Sequence, residues 1–316
     1  MKIFGALIIV FISLTFIFCQ NNGKENPEDM TPVLLGDPFI MLHGDIYYAY
    51  GTNAENGIEV YTSDDLMHWK KAPELALTKK DTWGKRWFWA PEVYYIKEKK
   101  KFFMYYSADE HICVATSDSP FGPFVQDMMQ PMISDEKCID NSLFIDDDGK
   151  PYLYFDRFND GLNIWVAELE DDLVTIRKST LTKCINVSQA WEEVWPRVNE
   201  GAFVTKHKGV YYMTYSANSY ESPFYGVGYA TADSPMGPWT KYEKNPILQK
   251  PDSIVGVGHS SMFRDKAGNM RIAFHSHCNQ KRIHPRQMCI ASVQFTSDDI
   301  PVMQIKKDIL KPVIRK

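Results

Sequence analysis

The chain lacks the cysteine pairs that mark a disulfide framework or a structural zinc site. No two cysteines are separated by two residues, and those that follow the N-terminal segment are odd in number and widely spaced. These are Cys113, Cys138, Cys184, Cys278 and Cys289. We therefore expect them to be free, buried thiols.

The sequence also lacks an excess of basic residues. It has 35 Lys and Arg against 40 Asp and Glu, a net charge of −5. A nucleic-acid partner would need a basic face, so this balance argues against one. With 44% hydrophobic residues in 316, the chain can bury a core. Its length fits one large all-β domain or two ordinary domains.

One long apolar run lies at the N-terminus. Lys2 precedes it, and the run extends over residues 3–18 before polar residues follow. This pattern predicts a signal peptide over residues 1–19, with a retained anchor helix as the alternative. Cys19 ends the run as in a bacterial lipoprotein signal, although Phe18 stands where a small residue is usual. We expect an exported protein, periplasmic or attached to the cell envelope through a lipidated Cys19.

After a predicted polar tether over residues 20–32, one unit is repeated five times. Each copy has an acidic residue or His, a short apolar strand, a polar turn and an aromatic-rich second strand. The copies begin at Asp37, Glu92, Asp140, Glu200 and His259. Four-stranded propeller blades repeat every 40 to 50 residues or so, and loop insertions explain the longer intervals here. The repeat predicts an all-β, five-bladed β-propeller over residues 33–316.

The turns inside the repeats support the propeller. HisGlyAsp at 43–45, AspAspGly at 147–149, HisLysGly at 207–209 and AlaGlyAsn at 267–269 each separate two apolar strands. Glycine at such a position favours a tight hairpin. No long amphipathic helical pattern interrupts the series.

The first residues of the five copies are the candidate functional residues. The innermost strands of a propeller line its central channel, so equivalent positions form a ring at one mouth. Asp37, Glu92, Asp140 and Glu200 would repel each other there unless chemistry or a cation required them. Each also has a structural explanation when taken alone, such as a turn or a cap.

Two carboxyl groups facing each other across a narrow channel suit glycoside hydrolysis. An inverting glycosidase separates them by about 6.5–9.5 Å, which leaves room for the attacking water. The acid must stay protonated, and a neighbouring negative charge raises its pKa. Asp140 and Glu200 belong to adjacent copies, whereas Asp37 and Glu200 do not. We therefore predict Glu200 as the general acid, Asp140 as the group that raises its pKa, and Asp37 as the general base. This chemistry requires no cofactor.

At these residues the sequence resembles glycoside hydrolase family 43. AspPro at 37–38, IleAspAsnSerLeuPhe at 139–144 and AsnGluGlyAlaPhe at 199–203 match the family's base, pKa-modulating and acid motifs. TrpAlaProGluVal at 89–93 resembles its second-blade motif, and GlyHisSerSerMetPhe at 258–263 its fifth-blade motif.

The resemblance implies further site residues and a set of activities. Trp89, Glu92 and Arg286 are expected to contact substrate, with Arg282 as the rival of Arg286. His259 is expected to contact substrate or, through water, a structural calcium in the channel. The implied activities are α-L-arabinofuranosidase, β-xylosidase, endo-arabinanase and exo-galactanase. We favour exo-acting release of arabinofuranosyl or xylosyl groups.

Alternative functions are also compatible with a propeller. Retaining enzymes of related five-bladed families carry AsnAspProAsnGly, ArgAspPro and GluCys motifs that this sequence does not contain. A non-catalytic sugar-binding propeller would keep the aromatic rings but would not need all three acids. A surface interaction scaffold would not explain a buried ring of acids either.

Overall fold

The computed structural model describes residues 30–194, 196–299 and 301–315. The predicted signal segment, with Cys19, lies outside these residues. Across the described ranges, no helix is long and apolar enough to cross a membrane. Short 3-10 turns at Lys178–Thr180, Ala190–Glu192 and Pro251–Ser253 accompany a structure that is otherwise built from strands.

The described strands form six sheets, and five of these correspond to the five repeated units. Blade 1 contains β1 (Met30–Pro32), β2 (Gly36–His43), β3 (Ile46–Thr52), β5 (Tyr61–Ser63), β6 (His68–Lys71) and β23 (Val313–Arg315), and β4 (Gly57–Ile58) pairs with β7 (Leu77–Thr78) beside it. Blade 2 contains β8 (Trp89–Ile96), β9 (Lys101–Ala108) and β10 (His111–Ser117). Blade 3 contains β11 (Cys138–Ile145), β12 (Pro151–Phe158), β13 (Leu162–Glu168) and β14 (Thr182–Ile185). Blade 4 contains β15 (Asn199–His207), β16 (Val210–Ala217), β17 (Gly226–Ala232) and β18 (Thr240–Lys241). Blade 5 contains β19 (Gly258–Arg264), β20 (Met270–Ser276), β21 (Gln287–Phe295) and β22 (Met303–Ile305).

The five sheets close into a ring, which confirms the predicted five-bladed β-propeller. Each inner strand contacts the inner strands of the two neighbouring blades, and β19 of the last blade returns to β2 of the first. A hydrophobic cluster fills each of the five interfaces between blades. Each cluster contains buried aromatic side chains among its aliphatic ones, and burying one large apolar side chain is worth about 1.5–3 kcal/mol.

Two closely similar turns help to join the blades. The SerProPheGly and SerProMetGly turns, at 119–122 and 234–237, belong to blades 2 and 4. The Tyr50 hydroxyl of blade 1 donates to the carbonyl of Pro120 at 2.5 Å, and the Tyr154 hydroxyl of blade 3 donates to that of Pro235 at 2.6 Å. A buried tyrosine hydroxyl thus finds its acceptor across the blade interface.

Strands from both ends of the described chain complete blade 1. β1 runs antiparallel to β23, and β23 runs parallel to β6. Met30–Pro32 therefore belongs to the propeller, and the prediction of a tether reaching residue 32 is wrong for these last three residues. The backbone amides of an otherwise open sheet edge become paired in this way.

The five cysteines of the propeller are free thiols, as the sequence predicted. Cys113, Cys138 and Cys289 are buried, whereas Cys184 and Cys278 are half-buried.

Each inner strand is interrupted by a β-bulge at the same place. The ladder to the second strand breaks after Gly36, Trp89, Ile139, Glu200 and Gly258. The next residue in each blade has a positive φ, between 44° and 61°: Asp37, Ala90, Asp140, Gly201 and His259. Bulges re-aim side chains, and non-glycine residues with positive φ concentrate at functional sites. The five bulges lie together at one mouth of the channel.

Candidate active site

A cavity of about 270 Å³ opens at the mouth formed by the bulges. Its walls are Asp37, Thr52, Trp89, Ile139, Asp140, Glu200, Tyr220, His259, His284 and Arg286. Six of the residues predicted from the sequence, including all three acids, therefore line one cavity. The rival Arg282 does not line it, and its guanidinium lies 2.9 Å from the sulfur of Cys278.

Glu92 does not line this cavity. Ala90, and not Glu92, occupies the bulge position of blade 2, so Glu92 lies two residues farther along the strand. There its carboxyl accepts a hydrogen bond from the Tyr94 hydroxyl, and burial raises its pKa to about 8 against the opposing hydrogen bonds of Tyr94 and Ser142. The expectation that Glu92 shares the catalytic mouth is wrong, because the sequence pattern did not reveal the register of the bulge.

A second ring of side chains holds the bulges in place. In each blade a side chain at or near the end of the second strand accepts a hydrogen bond from the backbone N–H of the bulge in the next blade. The five pairs are Thr52 with Ala90 (2.9 Å), Ser107 with Asp140 (2.8 Å), Asp156 with Gly201 (2.9 Å), Ser216 with His259 (2.7 Å) and His275 with Asp37 (3.1 Å). We call these five acceptors the anchor ring. Each hydrogen bond satisfies a backbone donor that the bulge removes from the ladder.

The Asp37 carboxylate is held by positive and neutral donors. Arg286 donates to both of its oxygens, at 2.6 and 3.0 Å, and the Thr52 hydroxyl donates to Oδ2 at 2.6 Å. Burial alone would raise the pKa of Asp37, but Arg286, His259 and His275 together lower it well below its usual value. Asp37 is therefore ionised across the neutral range.

Arg286 reaches Asp37 because residue 36 is glycine. A Cβ atom at position 36 would lie 2.2 Å from the guanidinium carbon of Arg286. The planar guanidinium can then engage the carboxylate with two parallel hydrogen bonds.

The pKa of Glu200 is shifted in the opposite direction to that of Asp37. Burial, reinforced by the negative charge of Asp37, raises the pKa of Glu200 to about 7, although the hydrogen bond from Tyr225 and the charge of Arg286 oppose the rise. The Tyr225 hydroxyl donates to Oε1 at 2.6 Å. A Cβ at residue 258 would lie 2.2 Å from the Tyr225 ring, so Gly258 makes room for this contact.

Asp140 lies between Glu200 and a carboxyl that the sequence analysis missed. Burial and the charges of Glu200 and Asp37 raise the pKa of Asp140 well above its usual value. Asp156, a fully buried residue of β12, lies beside it and lowers the pKa of Asp140 against these effects. The signal was present in the sequence, because Asp156 stands where the equivalent strands of blades 2 and 4 carry Ser107 and Ser216.

His259 faces the acids. Its Nδ1 lies 3.6 Å from Asp37 Oδ1 and 3.9 Å from Asp140 Oδ2. Burial lowers its pKa, partly opposed by Asp37, so the imidazole is neutral near pH 7. Among the described residues no group of three or more His, Cys, Asp or Glu is arranged to hold a metal. These residues therefore do not form a direct calcium site, and a calcium held through water stays a prediction.

Aromatic rings border the cavity on its outer side. The ring of Trp89 stacks on that of Trp87, with centroids 5.6 Å apart and planes inclined by 15°. The guanidinium of Arg86 lies 3.8 Å above the centre of the exposed Trp87 ring. On the other side, Tyr220 packs against the guanidinium of Arg286 at 4.9 Å. Flat apolar surfaces of this kind are suited to stacking on sugar rings.

The channel does not continue as open space beneath this cavity. Phe39 packs against Tyr94 at 5.3 Å and Phe203 at 6.5 Å between centroids, so rings from three inner strands fill the middle. A larger cavity of about 670 Å³ opens at the opposite ends of the same inner strands, but no carboxylate lines it. The chemistry therefore belongs to the smaller cavity.

The chain is similar to known glycoside hydrolases in sequence and in fold. The sequence profile of the glycosyl hydrolases family 43 matches residues 30–301. A β-D-galactofuranosidase of Aspergillus niger is 28% identical, over 87% of this chain and 83% of its own. An arabinoxylan arabinofuranohydrolase of Paenibacillus polymyxa is 26% identical over 83% of this chain, which spans about half (49%) of that protein. The crystal structure of an endo-1,4-beta-xylanase from Bacteroides thetaiotaomicron is 48% identical, covers 91% of this chain and 99% of its own, and has a TM-score of 0.87.

Proposed function

This protein belongs to glycosyl hydrolase family 43 and is a glycoside hydrolase, and we propose that it releases terminal α-L-arabinofuranosyl or β-xylosyl groups with inversion of configuration. The observation that carries the proposal is the contrast between two carboxyl groups in one cavity. Asp37 has a strongly lowered pKa, whereas the pKa of Glu200 is raised to about 7. Pairs of acids whose pKa values are driven apart are typical of glycosidases.

In the proposed mechanism Asp37 is the general base. Its carboxylate accepts a proton from a water molecule as that water attacks the anomeric carbon. Arg286 and Thr52 hold the two oxygens in a fixed plane, so the carboxylate need not reorient. The positive charge of Arg286 also keeps Asp37 free of a proton until that step.

Glu200 is the proposed general acid. Its protonated carboxyl donates to the glycosidic oxygen as the bond to the leaving group breaks. Asp140 faces Glu200, and a negative charge on Asp140 would oppose the ionisation of Glu200, as the charge of Glu200 raises the pKa of Asp140. The proposal thus gives the three acids the roles predicted from the sequence.

The proposed exo action rests on the shape of the cavity. At about 270 Å³ it lies just below the usual range for small-ligand pockets, roughly 300–1,000 Å³. The rings of Phe39, Tyr94 and Phe203 close its inner end. A terminal sugar can enter from the outer mouth, but a continuous chain cannot pass through.

The sugar that we propose first is L-arabinofuranose. The relatives are named for arabinofuranosyl and galactofuranosyl substrates and for xylan. The first two substrates share a five-membered furanose ring, which favours arabinofuranosides here. β-Xylosides are the second choice.

The test is hydrolysis of nitrophenyl α-L-arabinofuranoside, β-D-xyloside and β-D-galactofuranoside by the wild type, Asp37→Ala and Glu200→Ala. We expect losses of about 10²–10⁴-fold in each variant, because each removes one partner of acid–base catalysis. Glu200→Ala should regain much of its activity on a dinitrophenyl glycoside, whose leaving group needs no proton, whereas Asp37→Ala should not. Proton NMR of the first product should show the inverted anomer. Equal activity in all three proteins would overturn the assignments.

The cellular location is a further part of the proposal. The apolar run over residues 3–18 supports export, and Cys19 supports a lipid anchor in the cell envelope. Mass spectrometry of the native N-terminus tests both, with Cys19→Ala as the control that should release the protein.

A water-held calcium near His259 would show as a rise in melting temperature with added calcium that EDTA reverses.

A further inference from the structure

We propose that Asp156 holds a proton that it shares with Asp140, and that this hydrogen bond keeps Asp140 negatively charged beside the general acid. The proposal rests on the proposed function, since it concerns the group that faces Glu200. It assigns Asp156 as a positioning residue, because Asp156 does not line the cavity and so acts through Asp140.

The anchor ring shows why a carboxyl at this position needs an explanation. Three of the five anchors are hydroxyls, and the fourth is a histidine whose pKa burial lowers to about 3 and which is therefore neutral. In blades 2 and 4 a serine is enough to accept the bulge amide of the next blade. Asp156 does the same with Oδ2, which accepts the Gly201 N–H at 2.9 Å. The second oxygen of Asp156 is not needed for anchoring.

That second oxygen has no donor from the rest of the protein. Oδ1 of an ionised Asp156 would be buried with no hydrogen-bond donor among the described residues. The neighbouring guanidinium of Arg157 is directed elsewhere, to Glu136 at 2.8 Å and over the ring of Trp165 at 4.3 Å. An unpaired buried carboxylate is costly, so a proton is the remaining way to satisfy this oxygen.

The surrounding charges place that proton on Asp156. Asp140 faces it from β11 and Glu200 from β15, and the half-buried Cys184 thiol lies near it on β14. Burial, with the charge of Asp140, raises the pKa of Asp156 well above its usual value. Asp140 in turn lies near the cationic Arg286, which favours its charged form against burial and the negative charges of Glu200 and Asp37, and the neutral His259 lies 3.9 Å away. Asp156 then donates its O–H to Asp140.

This arrangement predicts how the acid responds to changes at residue 156. Without the donor, Asp140 loses a hydrogen bond to its charged form and takes up a proton more readily. Its negative charge then disappears from beside Glu200, and Glu200 loses its own proton at lower pH. The alkaline limb of the activity profile, where the general acid ionises, moves to lower pH.

Two variants and the pH dependence of kcat/KM test the proposal. Asp156→Asn keeps an acceptor for the Gly201 N–H and a donor for Asp140. It also leaves the charge at residue 156 unchanged, because a protonated carboxyl and an amide are both neutral. We expect its kcat/KM within about 3-fold of the wild type and an unmoved alkaline limb. Asp156→Ser keeps only the anchor found in blades 2 and 4. We expect kcat/KM to fall by about 10–100-fold, less than the loss of an acid itself, and the limb to move to lower pH.

The opposite result for Asp156→Asn would overturn the proposal. If Asp156 were ionised, the amide would remove a negative charge and the alkaline limb would move to lower pH in this variant too. Ser107→Ala is the matched control, because it removes an anchor that carries no carboxyl. It should lower the rate without moving the limb.

A spectroscopic measurement separates this proposal from the proposed function. Infrared difference spectra at neutral pH should show one protonated-carboxyl C=O band in the wild type that is missing in Asp156→Asn. Wild-type protein that hydrolyses no tested glycoside but shows this band would overturn the substrate assignment alone. Absence of the band change, whatever the activity, would overturn the shared proton.

Discussion

The guanidinium of Arg286 lies flat against the Asp37 carboxylate and donates to both of its oxygens, at 2.6 and 3.0 Å, across 249 residues of sequence. This contact joins the last blade to the first. Because Arg286 lowers the pKa of Asp37, the proposed base stays ionised but is a weaker proton acceptor.

Replacing Arg286 should move the acidic limb of the activity profile. Burial already raises the pKa of Asp37, and only the positive charge of Arg286, helped by His259 and His275, brings it down. In Arg286→Ala that pKa rises, so the base becomes protonated at higher pH and activity is lost earlier on acidification. We expect kcat/KM near neutral pH to fall by about 10²-fold.

Arg286→Lys is the control for that prediction. It keeps the positive charge but cannot donate two parallel hydrogen bonds. Its acidic limb should lie between those of the wild type and Arg286→Ala. An unmoved limb in both variants would show that Arg286 does not control the ionisation of Asp37.

Tyr225→Phe should move the alkaline limb in the opposite direction to Asp156→Ser. The Tyr225 hydroxyl stabilises the charged form of Glu200 and opposes the rise of its pKa to about 7. Without that hydrogen bond the pKa of Glu200 rises further, and the acid keeps its proton to higher pH. Profiles of kcat/KM against pH will measure this shift. Tyr229→Phe, in β17 of the same blade and outside the cavity, should leave the limb unchanged.

Glu92→Gln should stabilise the protein at alkaline pH. The pKa of Glu92 is about 8 in the folded state and about 4.3 in the unfolded chain. Between these values folding takes up a proton, so the free energy of unfolding falls as pH rises. The amide removes this dependence, and its advantage should grow from about pH 5 to about pH 8.

Urea unfolding at pH 5 and pH 8 measures that prediction. Glu59→Gln is the control with the opposite sign, because the hydrogen bonds of Glu59 to Lys71 and Tyr61 lower its pKa against the effect of burial. This second variant should be less stable than the wild type at pH 8. A Glu92→Gln protein that loses stability there would show that Glu92 is ionised in the channel.

The tryptophan pair should distinguish long substrates from short ones. Trp89 lines the cavity and Trp87 extends the stacked surface outward. Trp87→Ala should raise KM for arabino- or xylo-oligosaccharides by about 2- to 10-fold, the worth of one ring contact, and leave aryl glycosides unaffected. Phe121→Ala, also an exposed ring, should change neither. Equal effects on both kinds of substrate would place the oligosaccharide elsewhere.

The sequence predicted the residues that repeat and missed those that depend on register. Asp37, Asp140 and His259 occupy equivalent bulge positions, and a repeat visible in the sequence was enough to find them. Glu200 comes one residue before its bulge and Glu92 two residues after the equivalent position, a difference that apolar patterns do not encode. Side-chain periodicity is two, so a bulge changes which residues face the mouth.

Other site residues could not be predicted from the sequence for a different reason. Tyr220 and His284 line the cavity from outside the strands, and their positions depend on loop conformation. Tyr225 acts on Glu200 from the segment before β17 in the same blade, whereas His275 of blade 5 acts on Asp37 of blade 1. The second relation is not visible until the blades are arranged in a ring. The closing strand pair β1–β23 likewise joins segments with no shared sequence pattern.

The closure of the ring has a consequence for the order of events during synthesis. The proposed base is translated early, but its partners His275 and Arg286 come from the fifth blade, and β23 is added to blade 1 last. A ribosome-bound chain that has emerged only through blade 4 holds Glu200 and Asp140 but leaves Asp37 without its guanidinium. Hydrolytic competence should therefore be acquired in one late event, at the docking of the final blade, rather than blade by blade.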